Sequence, residues 1–420
     1  MTRPMEPPPL PPFPPPLPAV RRTESDDSVL SPPPLPARAR DDREFTPPPL
    51  PRLKKARNEA LLLLLGVEWL FGFACLIGGL AVLASLPVLQ FLSLGYLLES
   101  GGRIARTGRF RDGFIGVRVA ARLGGIVLAS WLFLLPVRFL ADMAHDAEII
   151  EPGGRVANGW WIGLYITMAV VFLHITLACA RGGRLRYFLW PFNFIWLIGR
   201  LVRGGFYADA RDRVWDFVVG LRLPHYFWLG FRGFAVAFAW LVLPVSLLAL
   251  GHSRLPGAPV LGVFGAVSLA FLLLYLPFLQ LRVAATNRVR EGFNLFAVRD
   301  DFRRAPWAFA FAVVVTLLFA LPLYLLKIEI VPQEAAWLPG LVFIAFIFPA
   351  RLLAGWAMGR AAKRAEPRHW FFRWTGRLPL LPVAGFYVLI VFFTQYTSWN
   401  GVWSLYEQHA FLVPVPFFGM

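Results

Sequence analysis

The chain has 420 residues, of which 57% are hydrophobic, 15% aromatic and 16% charged. Soluble proteins carry about 25% charged residues, so this composition excludes an ordinary soluble fold. The net charge of +17 does not indicate nucleic-acid binding, because the basic residues lie in short segments between apolar runs. That distribution is typical of the cytoplasmic loops of membrane proteins.

Residues 1–58 form a proline-rich region with four copies of PPPLP, at 7–11, 14–18, 32–36 and 47–51. We predict a disordered tail with short polyproline II segments. The pentamers are either a spacer or docking motifs for a cytoplasmic partner with an aromatic-lined groove. In the second case the contact residues are Leu10, Leu17, Leu35 and Leu50. The tail ends in RLKKAR, which favours a cytoplasmic N-terminus and contact with anionic lipid of the inner leaflet.

The rest of the chain predicts an all-α, polytopic transmembrane helix bundle at residues 59–398, followed by an outward-facing C-terminal tail at 399–420. We expect about eight crossings, within a range of 7–9, because runs of about 20 apolar residues can span a bilayer. The candidates are residues 60–98, 123–141, 159–180, 227–250, 259–281, 307–326, 338–358 and 378–395.

The first run is about twice the length of one crossing. It forms either a membrane hairpin that turns at Gly78-Gly79 or one crossing with a re-entrant segment. The basic residues before it favour the hairpin. The shorter run at 187–199 lies between basic segments and is interpreted as interfacial or re-entrant.

The basic residues alternate between loops. Segments 101–122, 181–226, 282–306 and 351–377 hold 6, 8, 6 and 7 Lys and Arg residues. The segments between them, 137–158, 251–258, 327–337 and 396–420, hold 2, 1, 1 and 0. The positive-inside rule therefore places the first set in the cytoplasm and the second outside. We predict a bacterial inner-membrane protein; 38 arginines against 4 lysines fit a bacterial source with GC-rich coding.

A short phrase with a proline occurs twice, as LPVLQF at 86–91 and LPFLQL at 276–281. Each is followed by an Asp-Phe element, RDGF at 111–114 and RDDF at 299–302, and then by a crossing that is predicted to end in a second proline, Pro136 or Pro322. A third copy starts at Pro191 and a degraded fourth at Pro349. The pattern predicts three to four two-helix repeats. The prolines either splay helices around a polar path or only relieve packing.

Three ionisable residues lie inside apolar runs and are candidates for a transport path: Glu68, His174 and Arg232. Charge at membrane depth is a functional hypothesis by default. The alternatives are an interfacial acid for Glu68, a hydrogen-bonded neutral ring for His174 and a snorkelling side chain for Arg232. Gln90, Gln280 and Gln395 add polar groups. No catalytic or metal-binding motif occurs, so we expect no enzyme activity, cofactor or metal ion.

The stretch LPVLQFLSLGYLLESGGRIARTGRFRDGF resembles a group of uncharacterised bacterial polytopic membrane proteins classed as a domain of unknown function. This resemblance implies no activity. The sequence favours a carrier or channel-like protein with a polar path. The alternative is a non-catalytic scaffold that recruits a partner through PPPLP, and the third possibility is an intramembrane lipid-modifying enzyme.

Changing Leu10, Leu17, Leu35 and Leu50 together to Ala tests the docking hypothesis. The leucines are the apolar contacts of the polyproline segments, so their loss should abolish capture of a tail-dependent partner in mild detergent. Mass spectrometry of the purified complexes provides the measurement. Retained binding of that partner would reduce the pentamers to a spacer.

Overall fold

The computed structural model describes residues 52–406 except 184, 204–205, 255, 326–336 and 398–400. The chain divides into a short unit, Met1–Ala56, and a main unit, Arg57–Met420. The PPPLP segments, with Leu10, Leu17, Leu35 and Leu50, and most of the predicted C-terminal tail lie outside the described residues.

Every regular element among the described residues is helical, which confirms the predicted all-α fold. The α-helices described are α1 (Arg52–Ser85), α2 (Gln90–Thr107), α3 (Val117–Ile150), α4 (Arg155–Ala180), α5 (Leu185–Phe188), α6 (Asn193–Arg203), α7 (Phe206–Gly220), α8 (Leu223–Leu250), α9 (Ala258–Leu273), α10 (Leu276–Thr286), α11 (Leu295–Arg304), α12 (Pro306–Leu325), α13 (Trp337–Ala362), α14 (Trp370–Thr375) and α15 (Leu380–Thr397). Short 3-10 helices occur at Phe110–Gly113, Val289–Phe293 and Gly401–Leu405.

Within the described part of the chain, seven helical segments are long and apolar enough to cross a membrane. Helices α9 and α10, which are bent by 43° at a short break, add an eighth if they form one span. The chain is therefore a multi-pass membrane protein. The seven segments are Leu65–Ser85, Phe110–Ile150, Arg155–Ala180, Val214–Leu250, Pro306–Leu323, Trp337–Ala362 and Trp370–Thr397.

Helix α1 begins earlier than the predicted end of the tail. Residues 52–58 were expected to be disordered, but they form its first two turns. The reason is local, because Leu, Lys, Arg, Ala and Glu are strong helix formers and the last proline of the tail lies just before them. The basic segment RLKKAR is thus the start of the helix that contains the first candidate span, Leu65–Ser85.

The turn that was predicted at Gly78-Gly79 lies elsewhere. Helix α1 runs unbroken through both glycines and ends at Ser85, and the chain then turns at residues 86–89. Glycine keeps its backbone hydrogen bonds, whereas Pro87 has no N–H to donate. The proline of the first repeated phrase therefore lies at the turn that ends α1.

Two contacts relate α1 to the segments that follow this turn. The Ser93 hydroxyl, near the start of α2, donates a hydrogen bond of 2.8 Å to the carbonyl oxygen of Leu80. Beyond the other end of α2, the ring of Phe114 lies 5.9 Å from the ring of Phe73, which is earlier in α1. The start of α2 and the segment after it thus both contact α1, and within residues 60–98 only Leu65–Ser85 is long and apolar enough to cross a membrane.

The second proline phrase also follows a helix break. Pro277 lies in the first turn of α10, directly after the break between α9 and α10. A proline in that position costs little, because the first turn has no acceptor for its missing N–H. Both phrases therefore mark the start of a helix that follows an interruption. The prediction that a second proline ends the following crossing is wrong for Pro136, because α3 continues past it to Ile150. Pro244 and Pro322 likewise lie inside α8 and α12.

The turns after α2 and α10 have nearly the same backbone. Gly108 ends α2 with φ 66° and ψ 13°, and Asn287 ends α10 with φ 57° and ψ 24°. Each is followed by an extended arginine and a 3-10 helix, in the sequences TGRFRDGF at 107–114 and TNRVREGF at 286–293. The structural partner of RDGF is thus REGF, and its predicted pairing with RDDF is wrong. RDDF lies one element later, in α11.

Helix α2 lies in the centre of the bundle, where residues 93–102 are all buried. Helices α8, α10 and α13 pack against it. Helices α3 and α4 pack against each other and expose most of their apolar side chains, as expected for a pair that faces lipid. The predicted re-entrant run at 187–199 divides between α5 and α6, which are each too short to cross a membrane.

Glycines allow the helix backbones around α2 to approach closely. A Cβ on Gly95 would lie 1.7 Å from the carbonyl oxygen of Tyr226 in α8. A Cβ on Gly355 of α13 would lie 2.2 Å from the carbonyl oxygen of Gly101 in α2. Membrane helices associate through such contacts because lipid provides no hydrophobic drive between them.

Replacing Gly95 with Ala should destabilise the bundle by about 1–3 kcal/mol, the usual cost of overpacking a core. The measurement is the thermal midpoint of the detergent-solubilised protein. Gly78→Ala is the matched control, because a Cβ on Gly78 meets nothing within 4 Å. Equal midpoints for the two variants would contradict the close approach of α2 and α8.

Candidate functional site

Helices α2, α10 and α13 end at one side of the bundle, which we call the basic end: residues 103–116, 282–304 and 360–369. The Lys363 ammonium group donates a hydrogen bond of 3.0 Å to the carbonyl oxygen of Gly108. The backbone N–H of Arg368 donates one of 2.8 Å to the carbonyl oxygen of Arg303. Segments that are distant in sequence thus form one positively charged surface.

The deepest charged residue in the described core is Arg351. It is 1% exposed and precedes the end of α13 at Ala362 by about 16 Å of helix rise. Its Nη2 donates a hydrogen bond of 2.6 Å to Oε1 of Gln280 in α10, which is fully buried. Nε2 of Gln280 donates one of 3.0 Å to the carbonyl oxygen of Gly233 in α8. These hydrogen bonds join α13, α10 and α8 inside the bundle.

A second polar group surrounds Glu99 of α2, whose side chain is 10% exposed. Nη2 of Arg106 lies 2.6 Å from Oε1 of Glu99, and Nε2 of His225 in α8 lies 3.6 Å from Oε2. Nη1 of Arg106 also donates a hydrogen bond of 2.7 Å to the carbonyl oxygen of Ala284 in the last turn of α10. Arg106 therefore ties the ends of α2 and α10 together.

A third group contains Arg282, which bridges two carboxylates at the basic end. Its Nη2 lies 2.6 Å from Glu291, and its Nη1 lies 3.0 Å from Asp301 of α11. The hydrogen bond from Arg282 lowers the pKa of Glu291 below its ordinary value. Burial raises the pKa of Asp301, against the attraction of Arg282 and Arg304. Arg282 thus lowers the pKa of both carboxylates, but at Asp301 the loss of hydration on burial outweighs this effect.

Helix α2 also has a polar face. Six polar side chains at spacings of three or four residues share one side of the helix: Gln90, Ser93, Tyr96, Ser100, Arg103 and Thr107. The Tyr96 hydroxyl donates a hydrogen bond of 2.8 Å to the carbonyl oxygen of Ile115. Backbone oxygens of neighbouring segments therefore satisfy part of this face within the bundle.

The three residues predicted from the sequence lie apart from one another. Glu68 is on the exposed surface of α1. Nε2 of His174 lies 2.8 Å from the carbonyl oxygen of Phe188, and its ring packs on Phe133 at 4.7 Å. Nη1 of Arg232 donates a hydrogen bond of 3.0 Å to Oδ1 of Asn287, at the end of α10.

Sequence reasoning missed the most buried charge, because Arg351 was counted with the basic loop 351–377 although it also falls within the predicted crossing 338–358. The structure places it inside α13, which continues for another eleven residues to Ala362. The small residues after Arg351, in the stretch AGWAMGRAA, were the available signal, since they allow close packing of a continuing helix. Its partner Gln280 was among the polar groups predicted to line a path.

Among the described residues, no group of three His, Cys, Asp or Glu side chains is arranged to hold a metal ion. Comparisons with protein-family models, with curated proteins and with solved structures found no match for this chain.

Replacing Glu291 with Gln should lower the thermal midpoint at neutral pH, because the variant loses its ion pair with Arg282. The lowered pKa means that Glu291 stabilises the fold fully above the ordinary glutamate pKa of about 4.3. This stabilisation disappears as the pH falls through the lower, folded-state value. The difference in midpoint between wild type and variant should therefore be constant from pH 7 to 5 and shrink only below about pH 4.

Glu366→Gln is the matched control, because Glu366 is exposed and forms no ion pair within the described part of the chain. Its midpoint should follow that of the wild type at every pH. A Glu291→Gln difference that persists unchanged in strong acid would contradict the assigned ion pair.

Proposed function

We propose that the chain is a carrier of the bacterial inner membrane that moves a small anionic solute past Arg351. One observation carries this proposal: a fully buried arginine lies beside an interrupted membrane helix. Placing a charge at membrane depth costs several kcal/mol on any scale, so such residues mark substrate or ion paths. The positive charge of Arg351 favours an anion.

The break between α9 and α10 supports a carrier. Gln280, the hydrogen-bonding partner of Arg351, lies five residues beyond Tyr275 at that break. Interrupted helices beside a polar site near the middle of the membrane are a recurring feature of secondary transporters. A solute that displaces Gln280 from Arg351 would take over a charge-assisted hydrogen bond.

The two proline breaks support a hinge mechanism. Helices α2 and α10 both begin after an interruption and are joined at the basic end through Arg106 and Ala284. Opening a path toward that end requires this contact to separate. The breaks next to Pro87 and Pro277 are where the backbone can absorb the rotation. In this proposal the chain catalyses no covalent reaction.

The basic end faces the cytoplasm in this proposal. Its support is the alternation of basic residues along the loops, together with the contacts that gather those loops at one side of the bundle. The same orientation places the PPPLP tail in the cytoplasm.

The test is anion uptake into proteoliposomes that contain the full chain, with radiolabelled phosphate, sulfate and succinate as probes. Arg351→Gln should reduce the flux of the transported anion roughly 10- to 150-fold, because a hydrogen bond to a charged group contributes about 1.5–3 kcal/mol. Arg351→Lys keeps the charge but loses the planar guanidinium group, so its flux should lie between that of the wild type and that of Arg351→Gln.

Arg138→Gln is the matched control, since it removes the same charge from an exposed position of α3. Its flux should equal that of the wild type. The proposal fails if wild-type vesicles take up none of the three probes, or if a folded Arg351→Gln variant keeps full flux. Absence of flux together with a tail-dependent partner would favour the scaffold.

A further inference from the structure

A pocket of about 420 Å³ lies at the basic end, between the start of α12 and the end of α13. Its volume falls in the range of roughly 300–1,000 Å³ that is typical of small-ligand sites. Residues 305–308, Trp356, Arg360, Arg364, Arg368 and Phe372 line it. None of these residues belongs to the groups around Arg351, Glu99 or Arg282.

Three arginines at intervals of four residues face this pocket. Nη1 of Arg364 donates a hydrogen bond of 3.1 Å to the carbonyl oxygen of Arg304. The guanidinium of Arg360 lies 5.1 Å from the ring of Trp356, and that of Arg368 lies 5.7 Å from the ring of Phe372. Contacts with backbone and rings hold the three cations close together.

The charge of the pocket is uncompensated within the described residues. No described carboxylate lies within 4.0 Å of Arg360, Arg364 or Arg368, whereas Arg282 in the same end of the bundle has two such partners. Burial lowers the pKa of Arg364, and the charges of Arg368 and Arg360 lower it further. An anion between the three guanidinium groups would relieve this repulsion.

Helix α12 adds backbone donors to the same wall. The N–H groups of Trp307 and Ala308 belong to its first turn, where no intrahelical acceptor exists. The start of a helix also carries a partial positive charge that favours an anion. Arginine forks and backbone N–H groups together form the donor set that binds phosphate oxygens.

Exposed aromatic rings place the pocket at the level of lipid headgroups. Trp307 at its rim is 52% exposed, and the neighbouring α14 exposes Trp370, Phe371 and Trp374. Tryptophan collects at the interface between membrane and water, because its ring is apolar and its N–H is polar. Such rings beside the pocket favour a position at the level of the bilayer phosphates.

We propose that this pocket binds the phosphate of an anionic phospholipid headgroup, with Arg360, Arg364 and Arg368 as its ligands. The Trp356 ring positions Arg360, and the glycerol of the lipid lies toward the exposed Trp307. Basic pockets between membrane helices recognise headgroups in this way. The site is separate from the carrier path, and its test requires no flux.

The experiment is titration calorimetry on the full chain, purified in a non-ionic detergent and depleted of lipid. The probes are dihexanoyl phosphatidylglycerol, dihexanoyl phosphatidylcholine and inorganic phosphate. We expect the anionic lipid to bind at least about tenfold more tightly than either of the others. The double variant Arg360→Gln/Arg368→Gln should weaken that binding at least about tenfold. It leaves the Arg364 hydrogen bond in place and so should keep the fold.

Arg111→Gln/Arg290→Gln is the matched control, because it removes the same charge from exposed positions of the basic end outside the pocket. Lipid binding by this control should equal that of the wild type. Equal weakening by both double variants would reduce the effect to general electrostatic attraction and overturn the site. Inorganic phosphate that binds as tightly as phosphatidylglycerol would overturn the lipid assignment, and absence of binding by all probes would overturn the pocket as an anion site.

Discussion

Helix α2 is polar, and it lies at the centre of the bundle with other helices packed around it. Ser93, Glu99 and Ser100 are polar and buried, and the hydrocarbon core of a bilayer would offer no water to satisfy such groups. The bundle meets this constraint with glycine contacts that bring α8 and α13 against the α2 backbone. Backbone oxygens of α1, α10 and the segment after α2 then accept its side-chain hydrogen bonds. The remaining helices are arranged around this centre.

The repeated proline phrase provides interruptions next to that centre. Pro87 precedes α2 and Pro277 begins α10, and the two helices end in turns with matching backbone angles. The copies differ in what they bury. When the two helices are aligned on these turns, Gln280, which contacts Arg351, corresponds to Gly101, against which α13 packs; in the repeated phrase its counterpart is instead Gln90. One copy therefore supplies a polar contact to Arg351 and the other supplies space for its helix.

Two groups of arginines at the basic end occur in different settings. Arg106 and Arg282 have carboxylate partners at 2.6 Å and join helix ends, so their charges are used within the fold. Arg360, Arg364 and Arg368 have no described carboxylate nearby and face a pocket beside exposed aromatic rings. The first set stabilises the bundle, and the charges of the second set face the pocket. Some of the positive charge of the chain is therefore neutralised within the fold, and some of it lines the pocket at the basic end.

The sequence by itself determined the helical class, the approximate number of crossings and the segments that carry positive charge, because these depend on local hydropathy and composition. It did not determine where helices end, since Gly78-Gly79 and Arg351 both looked like boundaries and both lie inside helices. Tertiary structure decided that REGF is the counterpart of RDGF. It also decided that Arg351 meets Gln280 across 71 positions, and that arginines beyond α13 meet the start of α12. Such contacts depend on how helices pack against one another. Hydropathy patterns describe one helix at a time and do not show which residues of different helices will meet.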